Sequence, residues 1–472
     1  NTPILKNRIP FVILFLYFLN LCTAQSQTCP ELDTIPELKG SVCFTSKAPL
    51  NYKAGDTTKI ELFVRKFPAV QERKGSIWLI PGGPGESGAS LYPLIGQFSK
   101  LFPNLDIFIP DHRGTGYSNK LCPQEEAIDS PSGMGLANDE WGSCFNYMYT
   151  NLDYVKSFTI TNAAKDLSLL INSYSGSGER YIYGVSYGTQ LVLRLLQLET
   201  VAFDAVLLDS LVPHQEDVAY DLSHRSLVTN NVGLSLLQNL DQRNSNEESL
   251  KTQLKAILER AKTDTAFAAE LPKQDLAILL GMMLDLPAVR NTIPEIIKGL
   301  QADNFEPLQQ AIQNVTSFYT GYGAAYPSAT NSIPLTQVIT ASENNLRPEM
   351  TKAEVVQESE GLLFKSPLPN LIAENAMPTY SRDAYFGQTP NQMPPTLIIN
   401  GTLDPKTHIE GAKKHYMLLA EKNPSVSFVK VQNAPHFIAL FAPQAFNKVV
   451  SEFIKEGAIE NQTVTEQSLM LD

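Results

Sequence analysis

Short apolar runs broken by polar turns recur along two stretches of the chain, and amphipathic segments fill the gaps between them. Lys59–Val64, Ser76–Ile80, Asp106–Ile109, Arg180–Tyr183 and Ala205–Leu208 read as strands. Ala163–Ser173 places Ala163, Leu167, Leu170 and Ile171 on one helical face, and Thr189–Leu198 also reads as a helix. Strands that are short and continuously apolar are covered on both faces. This order therefore predicts an α/β fold with a mainly parallel sheet flanked by helices. From about Pro213 the pattern changes. Helix-like stretches such as Leu250–Ala261 and Asp275–Leu284 follow one another without strand alternation. After residue 385 the strand–helix rhythm resumes, with strands at Thr396–Asn400 and Val426–Val431 and helices at Ile409–Glu421 and Phe446–Lys455. One sheet domain interrupted by a helical cap explains this more economically than two domains side by side. The expected divisions are a core at 25–212 and 386–460, a cap at 213–385 and a polar tail at 461–472.

The first 24 residues change the picture of where the chain works. Lys6 and Arg8 precede an apolar run, Ile9–Leu21, and Cys22-Thr23-Ala24 offers small residues for a cut. This is the pattern of a secretory signal peptide at 1–24, and the run is short of the roughly 20 residues that span a bilayer. A secreted protein, or one lumenal to the secretory or lysosomal pathway, is expected, without stable membrane association. In a bacterium the location would be periplasmic or extracellular. The net charge of −12 and the absence of a Lys/Arg run exclude nucleic acid as a partner. Removing the leader leaves Cys29, Cys43, Cys122 and Cys144, an even set in an export context, which predicts two disulfides. Three pairings are open, of which Cys29–Cys43 with Cys122–Cys144 is preferred. No Cys/His cluster calls for a metal, and no cofactor is implied. Asn314-Val315-Thr316 and Asn461-Gln462-Thr463 are glycosylation acceptors, whereas Asn400-Gly401-Thr402 is expected to stay bare.

The chemistry centres on Gly184-Val185-Ser186-Tyr187-Gly188, a G-x-S-x-G turn set between the Arg180–Tyr183 strand and the following helix. That setting is the nucleophile elbow, in which two glycines let a strained serine stand at the strand end. A serine needs a base, and the base needs an acid to orient it. In sheets of this kind they follow in the order Ser, Asp/Glu, His. Of the six histidines, His436 directly follows the last predicted strand and is taken as the base. His408 and His415 share a helical face and are expected to be solvent-exposed. Asp404, beyond the Thr396–Asn400 strand and before Pro405, is taken as the acid. The oxyanion donors are expected to be the backbone N–H of Tyr187 and that of Gly83 in Pro81-Gly82-Gly83-Pro84-Gly85.

With these motifs in place the chain resembles the prolyl and tripeptidyl aminopeptidases, serine exopeptidases of the α/β-hydrolase fold with an inserted helical cap. Gly82-Gly83-Pro84-Gly85-Glu86-Ser87-Gly88 is similar to their G-G-P-G-x-S-G loop, and Asp111-His112-Arg113-Gly114-Thr115-Gly116-Tyr117-Ser118 to their D-x-R-G-x-G-x-S segment. Gly184–Thr189, Gly401-Thr402-Leu403-Asp404-Pro405 and His436 resemble the corresponding elbow and carboxy-terminal section. Pro81, where the prolyl branch usually has His, tilts the likeness toward the tripeptidyl branch. Asp111 and Arg113 are read as a structural charge pair. The resemblance implies peptide substrates with a free amino terminus, cleaved by a Ser-His-Asp acyl-enzyme mechanism to release prolyl, dipeptide or tripeptide units. Such an enzyme needs an acid for the substrate ammonium. Glu216, Asp217, Glu354, Glu358 and Glu360 are the cap candidates, and none is singled out. Glu86 is expected to be a solvated loop residue, and Gly321–Pro327 either a pocket rim or an aromatic turn. Two further readings remain: a carboxylesterase or lipase with the same triad, and a non-catalytic binding protein.

Overall fold

The computed structural model describes residues 29–471 apart from 33 and 245–247; the expected signal peptide lies outside the described residues. Among the described residues nine strands form one sheet: β1 (Val42–Pro49), β2 (Lys59–Phe67), β3 (Gly75–Ile80), β4 (Leu105–Asp111), β5 (Glu179–Val185), β6 (Ala205–Asp209), β7 (Thr396–Gly401), β8 (Val426–Val431) and β9 (Gln462–Val464). Their order is β1-β2-β4-β3-β5-β6-β7-β8-β9. β2 runs antiparallel to both β1 and β4, and all later pairings are parallel. β3, β4, β6 and β7 are buried at every residue and β5 from Tyr181 onward, which is why these strands read as continuously apolar rather than alternating.

Helices cover both faces. α1 (Ile95–Leu101) contributes Phe98 to one face, where Phe446 and Phe453 of a late helix join it. α2 (Ile160–Tyr174) and α3 (Tyr187–Gln197) pack Leu167, Ile171, Leu191 and Leu195 on the other. Trp78 of β3 is fully buried there, stacked 4.6 Å from Phe108 with its indole N–H donating to Ser175 Oγ at 2.8 Å.

Between β6 and β7 the described chain holds helices and no strand, beginning with α4 (Arg225–Asn244). This stretch has an apolar cluster of its own, in which Leu236, Leu280, Ile296 and Ile297 are buried together. The chain then returns to the sheet. α5 (Ile409–Lys422) lies between β7 and β8, and α6 (Pro443–Glu456) follows β8. The residues expected to form a polar tail do otherwise: Gln462–Val464 pairs with β8, and Leu469 and Leu471 are buried. A three-residue strand with mixed burial leaves too short a pattern to read.

Register places the chemistry. Val185 pairs with Asp209, Asp209 with Ile399, and Gly401 with Val431. The chain therefore leaves β5, β6, β7 and β8 at the same edge of the sheet, and Ser186, Ser210, Asp404 and His436 all follow those exits. Both expected disulfides form, Cys29–Cys43 and Cys122–Cys144. Asp111 and Arg113 do not pair with each other. Arg113 binds Asp166 of α2 through two contacts of 2.6 and 2.7 Å. Asp111 instead accepts the Gly88 and Tyr117 amides at 2.8 Å each. A fork-shaped guanidinium engages a carboxylate through both oxygens, and Asp166 presents both to Arg113 while Oδ1 also accepts Tyr52 Oη–H at 2.8 Å. Asn461 donates to Tyr416 Oη at 2.6 Å and accepts from Phe428 N–H at 2.8 Å, so its amide is already used by the fold.

Candidate active site

The serine turn is built from sterics. Ser186 sits at φ 57°, ψ −126° between β5 and α3, a conformation that L residues avoid. It is held by its N–H to Asp209 O at 3.0 Å and by Thr189 N–H to its own carbonyl at 2.8 Å. A Cβ on Gly184 would stand 2.6 Å from Gly188 O, and one on Gly188 would stand 2.5 Å from Ile80 O. Both flanking glycines are thus required by close approach.

Asp404 is fully buried beyond β7. Its Oδ1 accepts the Lys406 and Thr407 amides at 2.8 Å each, and its Oδ2 accepts Thr407 Oγ1–H at 2.6 Å. Oδ2 also lies 2.9 Å from His436 Nδ1. Burial alone would raise the Asp404 pKa. The His436 charge and hydrogen bond, with the Thr407 donors, overcome it and hold the carboxyl well below the usual range. With Nδ1 directed to Asp404, Nε2 is the imidazole nitrogen left for chemistry. His436 and Ser186 line one cavity of about 730 Å³, and no hydrogen bond joins them among the described residues. Such contacts commonly tighten only when substrate is bound.

Three supporting residues escaped the sequence reading. Thr407 contacts both Asp404 and His436, at 2.6 and 3.2 Å. Asp209, at the end of β6, accepts the Ile438 and Ala439 amides at 2.8 Å each, while Ser210 Oγ accepts Phe437 N–H at 2.9 Å. The loop carrying His436 is therefore tied down from β6. A threonine three residues after an acid could have been noticed; Asp209 gave no local sign.

The glycine loop abuts the serine: a Cβ on Gly82 would lie 3.1 Å from Ser186 Cβ. Gly83 adopts φ +110°, and a Cβ there would stand 2.4 Å from Gly85 N. Glu86 departs from expectation. It is half-buried on the cavity wall, where burial pushes its carboxyl up against the pull of Lys406, His436 and the Gly82 N–H. Gly321–Pro327 supplies Tyr322, Tyr326 and Pro327 to the cavity lining.

The acids that line the cavity are Glu86, Asp221 and Asp285. Glu216, Asp217, Glu354, Glu358 and Glu360 do not. Asp217 pairs with Lys414, Glu358 with Arg347, and Glu354 closes a capping box with Thr351. Asp285 Oδ2 binds Lys406 Nζ at 3.1 Å and accepts Tyr319 Oη–H at 2.5 Å. The expected exposure of His408 and His415 also fails. His415 is buried with Nδ1 2.7 Å from Val212 O, and burial pushes its pKa down to about 4. His408 is half-buried, stacked on Tyr220 at 5.4 Å. The face they share packs against the start of the inserted segment, which spacing within α5 could not reveal.

Comparison with known proteins agrees with this architecture. Residues 75–234 match the model of the α/β hydrolase fold. The chain is similar to serine protease Hip1 of Mycobacterium tuberculosis, 28% identical over 179 residues, which cover 33% of this chain and 34% of the relative. It is also similar to carboxylesterase B of the same species, 29% identical over 100 residues, 20% of this chain and 19% of that one. The matched region thus spans about a third or less of the length of these curated relatives. Among solved structures, a thermophilic esterase from Thermogutta terrifontis aligns over 88% of this chain and 99% of its own, at 14% identity and TM-score 0.37. An epoxide hydrolase from an endophytic Streptomyces aligns over 90% and 99%, at 14% identity and TM-score 0.38. The sheet order, the serine turn and the matched family model together give this chain the α/β-hydrolase fold.

Proposed function

We propose that this chain is a secreted serine exopeptidase that removes prolyl, dipeptide or tripeptide units from peptides with a free amino terminus. The observation that carries the reading is the buried Asp404–His436 pair facing the same cavity as the strained Ser186. In this mechanism Ser186 Oγ attacks the scissile carbonyl and His436 Nε2 takes its proton. Asp404 keeps the imidazole in the Nδ1–H tautomer and balances the imidazolium. The oxyanion is held by the Tyr187 and Gly83 amides, neither of which donates to a protein group among the described residues. His436 then returns the proton to the leaving amine, and water releases the acyl group.

Glu86 is the acid best placed to receive the substrate ammonium. It stands beside Gly82 on the cavity, whereas Asp221 and Asp285 are engaged by neighbours. The two disulfides support an oxidising compartment. Hydrolysis of a fluorogenic set tests the reading. The set holds free-amine prolyl, dipeptidyl and tripeptidyl amides, their N-acetylated twins and a short acyl ester. Cleavage confined to free-amine amides is expected. Cleavage of the ester alone would replace the peptidase reading by a carboxylesterase acting through the same three residues, as the likeness to carboxylesterase B allows.

A further inference from the structure

Two cations that the mechanism does not use line the cavity, Lys406 and Arg225, and only Lys406 has an acidic partner among the described residues. Arg225, the first residue of α4, is nine-tenths buried and lines the same cavity as Ser186 and His436. Its guanidinium makes no hydrogen bond or ion pair among the described residues; only its backbone N–H is used, donating to Leu222 O. An ionised guanidinium withdrawn from water without a partner is costly, and natural interiors rarely keep one.

Its acidic neighbours do not take it. Asp404, Asp285 and Asp221 all act on Arg225 through space, yet each is committed elsewhere. Asp404 is filled by Thr407, Lys406 N–H and His436. Asp221 accepts Ser223 N–H and Oγ–H and the Leu346 amide, at 3.2, 2.5 and 3.1 Å. Asp285 gives Oδ2 to Lys406 and Tyr319; its Oδ1 has no partner, and Arg225 does not reach it. Lys406, the other cation on the cavity, is already paired with Asp285, so among the described residues lining the cavity Arg225 is the one that offers an open fork of donors.

We propose that Arg225 binds a carboxylate of the substrate, foremost the free α-carboxylate of a short peptide. The assignment rests on the peptidase reading of this cavity and adds to it a preference for short, free-acid peptides. A guanidinium engages a carboxylate through two parallel N–H···O contacts, and a carboxylate restores the partner that burial demands.

The test compares tri-, tetra- and penta-alanine with their carboxamide twins, using the full chain and chromatographic detection of products. Wild type is expected to cleave the free acids with kcat/KM about 10- to 100-fold above the carboxamides, as for loss of one buried charged hydrogen-bonded contact. Arg225→Gln should erase that ratio by slowing only the acids, and Arg225→Lys should restore part of it. A pair ending in glutamate amide or glutamine amide separates a side-chain source of carboxylate from the main-chain one. Labelling of Ser186 by a neutral fluorophosphonate at the wild-type rate shows that a variant is folded. Equal cleavage of acids and carboxamides by wild type overturns the assignment while leaving the peptidase reading intact. So does an equal loss on both in Arg225→Gln with a shifted pH–rate profile, which would mean that Arg225 serves to balance Asp404. Failure of wild type to cleave any peptide overturns both.

Discussion

His436 Nδ1 lies 2.9 Å from Asp404 Oδ2, inside a carboxylate pocket that leaves Asp404 no contact with solvent. Removing the charge while keeping the shape isolates what that contact does. Asp404→Asn should lower kcat by about 10⁴ through the wrong imidazole tautomer, with KM little changed. Circular dichroism should remain that of the wild type. Turnover within tenfold of wild type would remove Asp404 from the proposed triad.

Thr407, which contacts both Asp404 and His436, is a positioning residue in the proposed mechanism, acting on substrate through those two. Thr407→Val deletes the hydroxyl donor to Asp404 Oδ2 at constant size. Loss of one hydrogen bond to a charged group is worth about 1.5–3 kcal/mol, which corresponds to a 10- to 100-fold lower kcat. Thr407→Ser should restore activity, since the donor returns. Equal damage from the serine and valine variants would assign Thr407 a packing role instead.

The parts of this molecule written in local sequence were legible from it. Each central strand announced itself by a buried apolar run, and Ser186, Asp404 and His436 each follow such a run at a predictable distance. The parts made by distant chain were not. Asp209 secures the His436 loop 229 and 230 residues away, and Arg113 finds Asp166 53 residues on. Glu86 looked like a loop residue because nothing nearby in sequence tells that it lines one cavity with Lys406 and His436. His415 looked exposed because what covers it, Val212 and His214, lies outside its own helix. The inserted segment gave its helices but not which side chains reach the cavity, since that depends on how it folds over the sheet edge.

Close approach around the serine turn gives a steric prediction. Gly188→Ala would place a methyl group 2.5 Å from Ile80 O and 2.7 Å from Pro81 O, both backbone atoms that cannot swing aside. β3 and the loop carrying Gly83 must then move away from α3. Ser186 labelling by a fluorophosphonate should fall at least 100-fold, and the urea midpoint should drop. Gly96→Ala, in helix α1 where a Cβ meets nothing within 4 Å, serves as the control: it should leave labelling unchanged and not lower the urea midpoint. Undiminished labelling in Gly188→Ala would show that the turn tolerates expansion and would weaken the case for a preorganised oxyanion site.

Burial of His415 makes stability depend on pH in a defined window. In the unfolded chain an imidazole takes up its proton near pH 6.5, whereas in the fold His415 resists until about pH 4. Between these values the unfolded state binds more protons, so acidification from 6.5 toward 4 withdraws stability, roughly 3 kcal/mol at the lower end. His112, also pushed down to about 4 by burial, acts in the same direction. Asp111 acts in the opposite one: its buried carboxyl is raised to about 6, so lowering the pH from 6 to 4 restores stability. The whole-protein profile therefore mixes opposing terms, and a single substitution is needed to separate them. His415→Gln keeps a side-chain donor for Val212 O but removes the titration. Its urea midpoint relative to wild type should rise as the pH falls from 7 to 4.5, whatever constant offset the substitution brings. Parallel curves for the two proteins across that range would mean that His415 is protonated in the native state and that the fold opens to admit the charge.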